Sequence, residues 1–237
     1  MRSSTLKLLF CGFAFTTLTA CSETTAPTSV SGAARVIAIA GVQQAVTAGE
    51  AAPDSLGVVV YDAQGEFLTN AQVQWSIVDG DGTLSSGAST TDARGIAKVA
   101  FNAATRTGVT HVSAQVGDAS PVLFEETTIA AAAARLLPMR AATDSISAGD
   151  SFSGALVHVI DQYGNNVPNV TLSVDVQNAS EDDYLSSAQT SSDVSGIASA
   201  YFATGSLGGQ RVMTLTSDGG LTISFTINVY ASAARKN

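Results

Sequence analysis

The sequence predicts an all-β protein: two tandem Greek-key β-sandwiches of about 100 residues each, set behind a cleaved leader and a flexible tether. Two observations carry this. Three motif blocks recur in the same order at one spacing, and each copy alternates apolar and polar residues over short runs with no helical period. Ala48-Gly49-Glu50 returns as Ala148-Gly149-Asp150, and Asp62-Ala63-Gln64-Gly65 returns as Asp161-Gln162-Tyr163-Gly164. Asp92-Ala93-Arg94-Gly95-Ile96-Ala97 returns as Asp193-Val194-Ser195-Gly196-Ile197-Ala198. The offsets are 100, 99 and 101 residues, so one domain-sized unit is written twice.

The chain opens with Arg2 and Lys7, followed by an apolar run from Leu8 to Leu18. That run is too short to cross a bilayer as a helix, which takes about 20 residues. It fits the hydrophobic part of a signal peptide. Leu18-Thr19-Ala20-Cys21 then resembles the lipobox of bacterial lipoproteins. The resemblance implies cleavage before Cys21, a diacylglycerol on its sulfur and acylation of the new amino terminus. Several acyl chains anchor stably where one is marginal. Ser22, in place of Asp, points within that family to the outer membrane if the source has one. Residues 22–34 (SETTAPTSVSGAA) show no period and are rich in Ser and Thr. They are expected to form a flexible tether reaching at most about 45 Å.

Loss of residues 1–20 removes Arg2 and Lys7 and no acid, so the formal charge moves from -9 to -11. An acidic chain without basic clusters is not built to meet a phosphate backbone or an anionic lipid surface. No nucleic-acid partner is expected, and the membrane is met only through the lipid. Cys11 leaves with the leader, which makes Cys21 the sole remaining cysteine. No disulfide can form within the mature chain, and the sandwiches must rest on core packing.

Strands are expected at 35–40, 43–47, 56–61, 71–78, 96–102, 109–116 and 121–129 in the first copy. In the second they are expected at 135–141, 144–148, 154–160, 170–176, 184–190, 197–203, 210–216 and 221–230. Val73, Trp75 and Ile77 alternate with Gln72, Gln74 and Ser76, which puts the apolar set on the core. Val170, Leu172, Val174 and Val176 repeat the pattern, with Val174 at the place of Trp75. Ala97, Val99 and Phe101 match Ala198, Ala200 and Phe202. At 210–216, Val212 competes with Met213 and Leu215 for the core. Gly65, Gly95, Gly164 and Gly196 each follow an Asp by three residues, where the carboxylate can cap a turn and Gly can take positive φ.

This order of motifs (Ala-Gly-acid, Asp-x-x-Gly, Val-x-Trp-Ser-Ile, Asp-x-x-Gly-Ile-Ala-x-Val) resembles bacterial immunoglobulin-like domains of the invasin/intimin group. The resemblance covers about 35–130 and 135–231. It implies immunoglobulin-like sandwiches of the kind that serve as stalks or adhesive modules on bacterial surfaces. The second copy departs from it by lacking the Trp and by inserting Glu181-Asp182-Asp183. The chain thus divides into a leader at 1–20, a lipidated tether at 21–34, a first domain at 35–130, a linker at 131–134, a second domain at 135–231 and a tail at 232–237. Alanines fill 130–134. Five are too few to nucleate a helix, and the Gly-free connection predicts a stiff end-to-end arrangement.

Candidate chemistry is sparse. Gly149-Asp150-Ser151-Phe152 resembles the nucleophile block of GDS-type esterases, but no Asp-x-x-His block follows to supply a base. Asp150 also aligns with Glu50 of the first copy, so a repeated turn is expected. His111 aligns by the repeat with Arg211, a polar strand position, and His158 lies in the other copy at a non-equivalent position. Both are expected on strand surfaces without metal-ligand neighbours. Two acidic loops, Asp79/Asp81 and Glu181/Asp182/Asp183, fall at one place in the two copies and raise the question of calcium. Neither offers the ligand spacing of an EF-hand, and solvated turns are expected. Asn169-Val170-Thr171 and Asn178-Ala179-Ser180 match a glycosylation triplet, a chance match in such a chain. No catalytic residue, cofactor or metal is expected, and the one modified site is Cys21.

The expected function is a non-catalytic, lipid-anchored cell-envelope protein, a surface stalk or an adhesion module. It would sit in the outer membrane, facing either the periplasm or the outside. The alternative is a carbohydrate-binding or accessory module of a periplasmic assembly. An exposed aromatic row would favour the alternative, but Tyr61, Tyr163, Tyr184 and Tyr201 are scattered in sequence.

Overall fold

The computed structural model describes residues 32–189 and 191–231. The leader, Cys21, most of the tether and the 232–237 tail lie outside the described residues. The first copy forms β1 (Ala33–Ala40), β2 (Gln44–Thr47), β3 (Leu56–Asp62), β4 (Gln72–Asp79) and β5 (Gly82–Leu84). It continues with β6 (Ala88–Thr90), β7 (Ile96–Val99), β8 (Phe101–Ala103), β9 (Gly108–Gln115) and β10 (Val122–Ile129). The second copy forms β11 (Ala133–Pro138), β12 (Thr143–Ser147), β13 (Ser151–Asp161) and β14 (Leu172–Gln177). It ends with β15 (Tyr184–Gln189), β16 (Ile197–Ala203), β17 (Gly209–Ser217) and β18 (Thr222–Tyr230).

In the first copy a sheet of order β1-β3-β7 packs on one of order β2-β10-β9-β4-β6. In the second, β11-β13-β16-β15 packs on β12-β18-β17-β14. The opening strand of each copy splits between the two sheets. Its second half pairs parallel with the last strand, β2 with β10 and β12 with β18. Each pair of sheets encloses its own apolar cluster. This is an immunoglobulin-like sandwich built twice.

The alternation read from sequence decides which residues fill these cores. Val73 and Trp75 are buried, and Ile77 packs against the same cluster. Trp75 tilts against Phe124 at 5.8 Å between ring centroids and donates its indole N–H to Ser89 Oγ at 2.8 Å. The polar end of the ring is thereby satisfied inside the core. Register pairs Trp75 with Ala114 and Val174 with Leu215, so Val174 does take the place of Trp75. Met213 and Leu215 are buried, which settles the competition at 210–216 against Val212.

All four Asp-x-x-Gly blocks form one device. Oδ1 of Asp62 accepts from the amides of Gln64 and Glu66, and that of Asp92 from Arg94 and Ile96. Oδ1 of Asp161 accepts from Tyr163 and Asn165, and that of Asp193 from Ser195 and Ile197. The following glycine has positive φ each time. A carboxylate that gathers two amides fixes the turn and hence the register of the strands it joins.

Two expectations need correction. The first copy has two strands that the sequence pattern hid, β5 and β6, because each is three residues long and lies in a Gly- and Ser-rich stretch. The alignment of His111 with Arg211 is also one residue out. Ile77 pairs with Val112, and its counterpart Val176 pairs with Met213, so Arg211 corresponds to Thr110. Both Thr110 and Arg211 are buried, whereas His111 is half-buried.

Candidate functional site

Two polar clusters form where the acidic loops meet the starts of β9 and β17. In the first copy, Thr110 Oγ1 donates to the carbonyl of Asp81 at 2.7 Å and accepts the Asp81 amide at 3.2 Å. In the second, Arg211 takes over that task with charge. Its Nε donates to Asp183 Oδ2, and its Nη2 reaches Ser180 Oγ and the Leu207 carbonyl, each at 3.1 Å. Asp183 also accepts from the amides of Gly205 and Ser180, at 2.6 Å each. Burial alone would raise the Asp183 pKa, but Arg211 and these amides outweigh it and hold the carboxyl at about 2. Asp182 accepts from the Ser206 amide and hydroxyl at 2.8 Å each, which lowers its pKa. Asp182 and Asp183, two of the three inserted acids, therefore tie the loop to the strand ends, and this loop is not the solvated turn that the sequence suggests. Among the described residues no group of three or more His, Cys, Asp or Glu is placed to hold a metal ion.

His111 bridges the acidic loop and β10. Its Nδ1 lies 2.6 Å from Asp79 Oδ1, and its Nε2 lies 3.6 Å from Glu125 Oε2. The Asp79 hydrogen bond leads in raising the histidine pKa. His158 is half-buried, with Nε2 2.7 Å from Asn166 Oδ1. The two histidines, in different sandwiches, make no common site. The Gly149-Asp150-Ser151 block is a turn running into the start of β13: the Thr204 amide donates to the Asp150 carbonyl, as that of Ala103 does to Glu50 in the first copy. Asn169 has φ 61° and its counterpart Asn70 has φ 56°, so the left-handed turn accounts for the asparagine of the Asn169 triplet.

Sequence reading also missed a buried acid. Glu126 is fully buried on the inner face of β10, at the position that Ile227 fills in the second copy. Its Oε2 accepts from Gln44 Nε2 at 3.2 Å, while Oε1 has no hydrogen-bond partner. Burial raises its pKa to about 7, opposed only by the Gln44 hydrogen bond. The alternation Val122, Phe124, Glu126, Thr128 would have placed it inward.

Of Tyr61, Tyr163, Tyr184 and Tyr201, the pair Tyr184 and Tyr201 share an outer face. They lie on the paired strands β15 and β16, 63% and 38% exposed. Tyr61 is covered by Phe67 and the Arg35 guanidinium.

Residues 36–130 match the family model of the bacterial Ig-like domain (group 1). The match falls on the first sandwich. The second repeats its topology with the changes described above. Among solved structures, this Ig-like pair resembles FdeC, described as a broadly conserved Escherichia coli adhesin. The TM-score is 0.54 at 18% identity, over 83% of this chain and 64% of that one. It also resembles InvD of Yersinia pseudotuberculosis, with a TM-score of 0.53 at 16% identity, over 81% of this chain and 57% of that one. The chain thus spans less than two thirds of each of these structures, and at such identity the likeness is one of fold. No curated protein matches the sequence.

Proposed function

We propose that the chain is a non-catalytic, lipid-anchored module of the bacterial cell envelope that projects its Ig-like pair for adhesion or docking. The observation that carries this reading is the pairing of two features. A Leu-Thr-Ala-Cys21 block follows an apolar leader, and a bacterial Ig-like domain follows a short polar tether. Three further points support it. The fold is shared with a protein described as an adhesin. The mature chain is acidic, which favours a basic or uncharged partner. The buried carboxylates Asp161 and Asp183 are engaged by donors within the fold, as structural groups are. The lipid sets location, residues 22–34 give mobility, and contact falls to exposed loops or a free sheet edge.

The test compares cells carrying the chain, cells lacking it and cells carrying Cys21→Ser for attachment to epithelial cells and to one another. Attachment that needs the chain and is lost with Cys21→Ser is expected. Equal attachment by all three contradicts the adhesive reading.

The shared outer face of Tyr184 and Tyr201 favours a second reading, stacking on a sugar ring. A glycan array probed with the chain and with its Tyr184→Ala variant separates the two: a signal lost in the variant supports the carbohydrate reading.

A further inference from the structure

The Asp161–Asn165 turn of the second sandwich faces the end of the first. Its carboxylate is fully buried. Besides the amides of its own turn, Asp161 accepts from the linker amide of Ala131 at 3.0 Å and from Asn165 Nδ2 at 2.8 Å, both through Oδ2. The Asn165 side chain is thus held in one orientation, and it grips the first sandwich with both ends of its amide. Nδ2 donates to the Thr105 carbonyl at 2.8 Å, and Oδ1 accepts from the Thr107 amide at 3.1 Å. Beside it, the Tyr163 hydroxyl lies over Gly49, where a Cβ would run into it.

The repeat shows that this is an adaptation rather than a by-product of the turn. The first copy builds the same turn on Asp62, with Gln64 and Glu66 at the positions of Tyr163 and Asn165. Glutamate cannot donate to a carbonyl, so that turn could not make the grip. The corresponding end of the second sandwich is built differently: Gly205 and Ser206 stand at the positions of Ala104 and Thr105, and their amides are taken by Asp183 and Asp182.

We propose that the end of the first sandwich is a specific docking surface for the Tyr163/Asn165 turn, and that this joint locks the two sandwiches in one relative orientation. Asp161 is its positioning residue, preorganising Asn165 and fastening the linker in the same contact. The alanine linker alone would leave rotation open, whereas a bidentate amide on two backbone groups does not. The inference concerns the joint and stands apart from the anchor and the adhesive reading.

The test measures the distance between spin labels at Gln74→Cys and Asp175→Cys in the full chain, with Cys11 and Cys21 replaced by Ser so that only these two react. The native joint is expected to give a single narrow distance peak. Tyr163→Gln with Asn165→Glu, which installs the first copy's pair, is expected to lose that peak to a broad distribution. Thr107→Pro, which removes the amide that donates to Asn165 Oδ1, reports from the other side of the joint and is expected to broaden it too. A broad distribution with the native joint, or a narrow unshifted peak in both variants, overturns the proposal.

Discussion

The Arg211 guanidinium closes on the Asp183 carboxylate inside the second sandwich, with 5% and 0% of the two side chains exposed. It does for the acidic loop of that copy what Thr110 does for the loop of the first. Asp183→Ala leaves the guanidinium buried without its counter-charge and is expected to cost about 3–5 kcal/mol. Because the folded-state pKa of Asp183 lies below the ordinary 3.8, its contribution is complete above that value and is lost as the pH falls through about 2. Urea unfolding of the chain and the variant between neutral pH and pH 2 checks both statements: the gap between them should hold down to about pH 4 and narrow only at the acidic end.

Glu126 acts in the opposite sense. Its folded-state pKa is raised to about 7 from 4.5, so the folded state holds a proton that the unfolded state has released. Its contribution is present below about 4.5 and is lost as the pH rises through about 7. Glu126→Ile, which installs the second copy's residue, is expected to stabilise the chain above neutrality by up to about 3 kcal/mol. Melting curves at pH 4 and pH 8 read this directly, and the variant's advantage should be larger at pH 8.

Trp75→Ala is expected to destabilise by about 3–5 kcal/mol, since the ring is buried against Phe124 and its N–H partner Ser89 would be left unpaired. A loss below about 1 kcal/mol would be incompatible with a ring buried in the core.

Gly65 and Gly95 occupy the same turn device and separate backbone strain from steric contact. Both have positive φ, but a Cβ on Gly65 meets open space while one on Gly95 would lie 2.7 Å from the Val60 carbonyl oxygen. Gly65→Ala is expected to cost about 1–2 kcal/mol from the left-handed backbone alone. Gly95→Ala should cost more, and equal losses in urea titrations would contradict the placement of Gly95.

Much of the fold was legible because its signals are local. Asp62, Asp92, Asp161 and Asp193 carry their turns within five residues, and the Val73/Trp75 alternation needs no knowledge of a partner strand. The rest depends on pairing. The match of Arg211 to Thr110 emerges only once Met213 is paired with Val176 and Val112 with Ile77, since a slip of one residue exchanges the faces. Strands β5 and β6 take their strand character from β8 and β4 rather than from their own residues. The grip of Asn165 on Thr105 and Thr107 joins residues about 60 apart, and the alanine run between them gives no hint of it.

The anchored-module account rests most directly on the state of Cys21. Intact and peptide mass spectrometry of the chain isolated from bacterial membranes measures it. The account predicts a mature amino terminus at Cys21 carrying a diacylglyceryl group, with a second acyl chain on the new amine. An unmodified thiol at Cys21, or a chain that still holds residues 1–20, would contradict it.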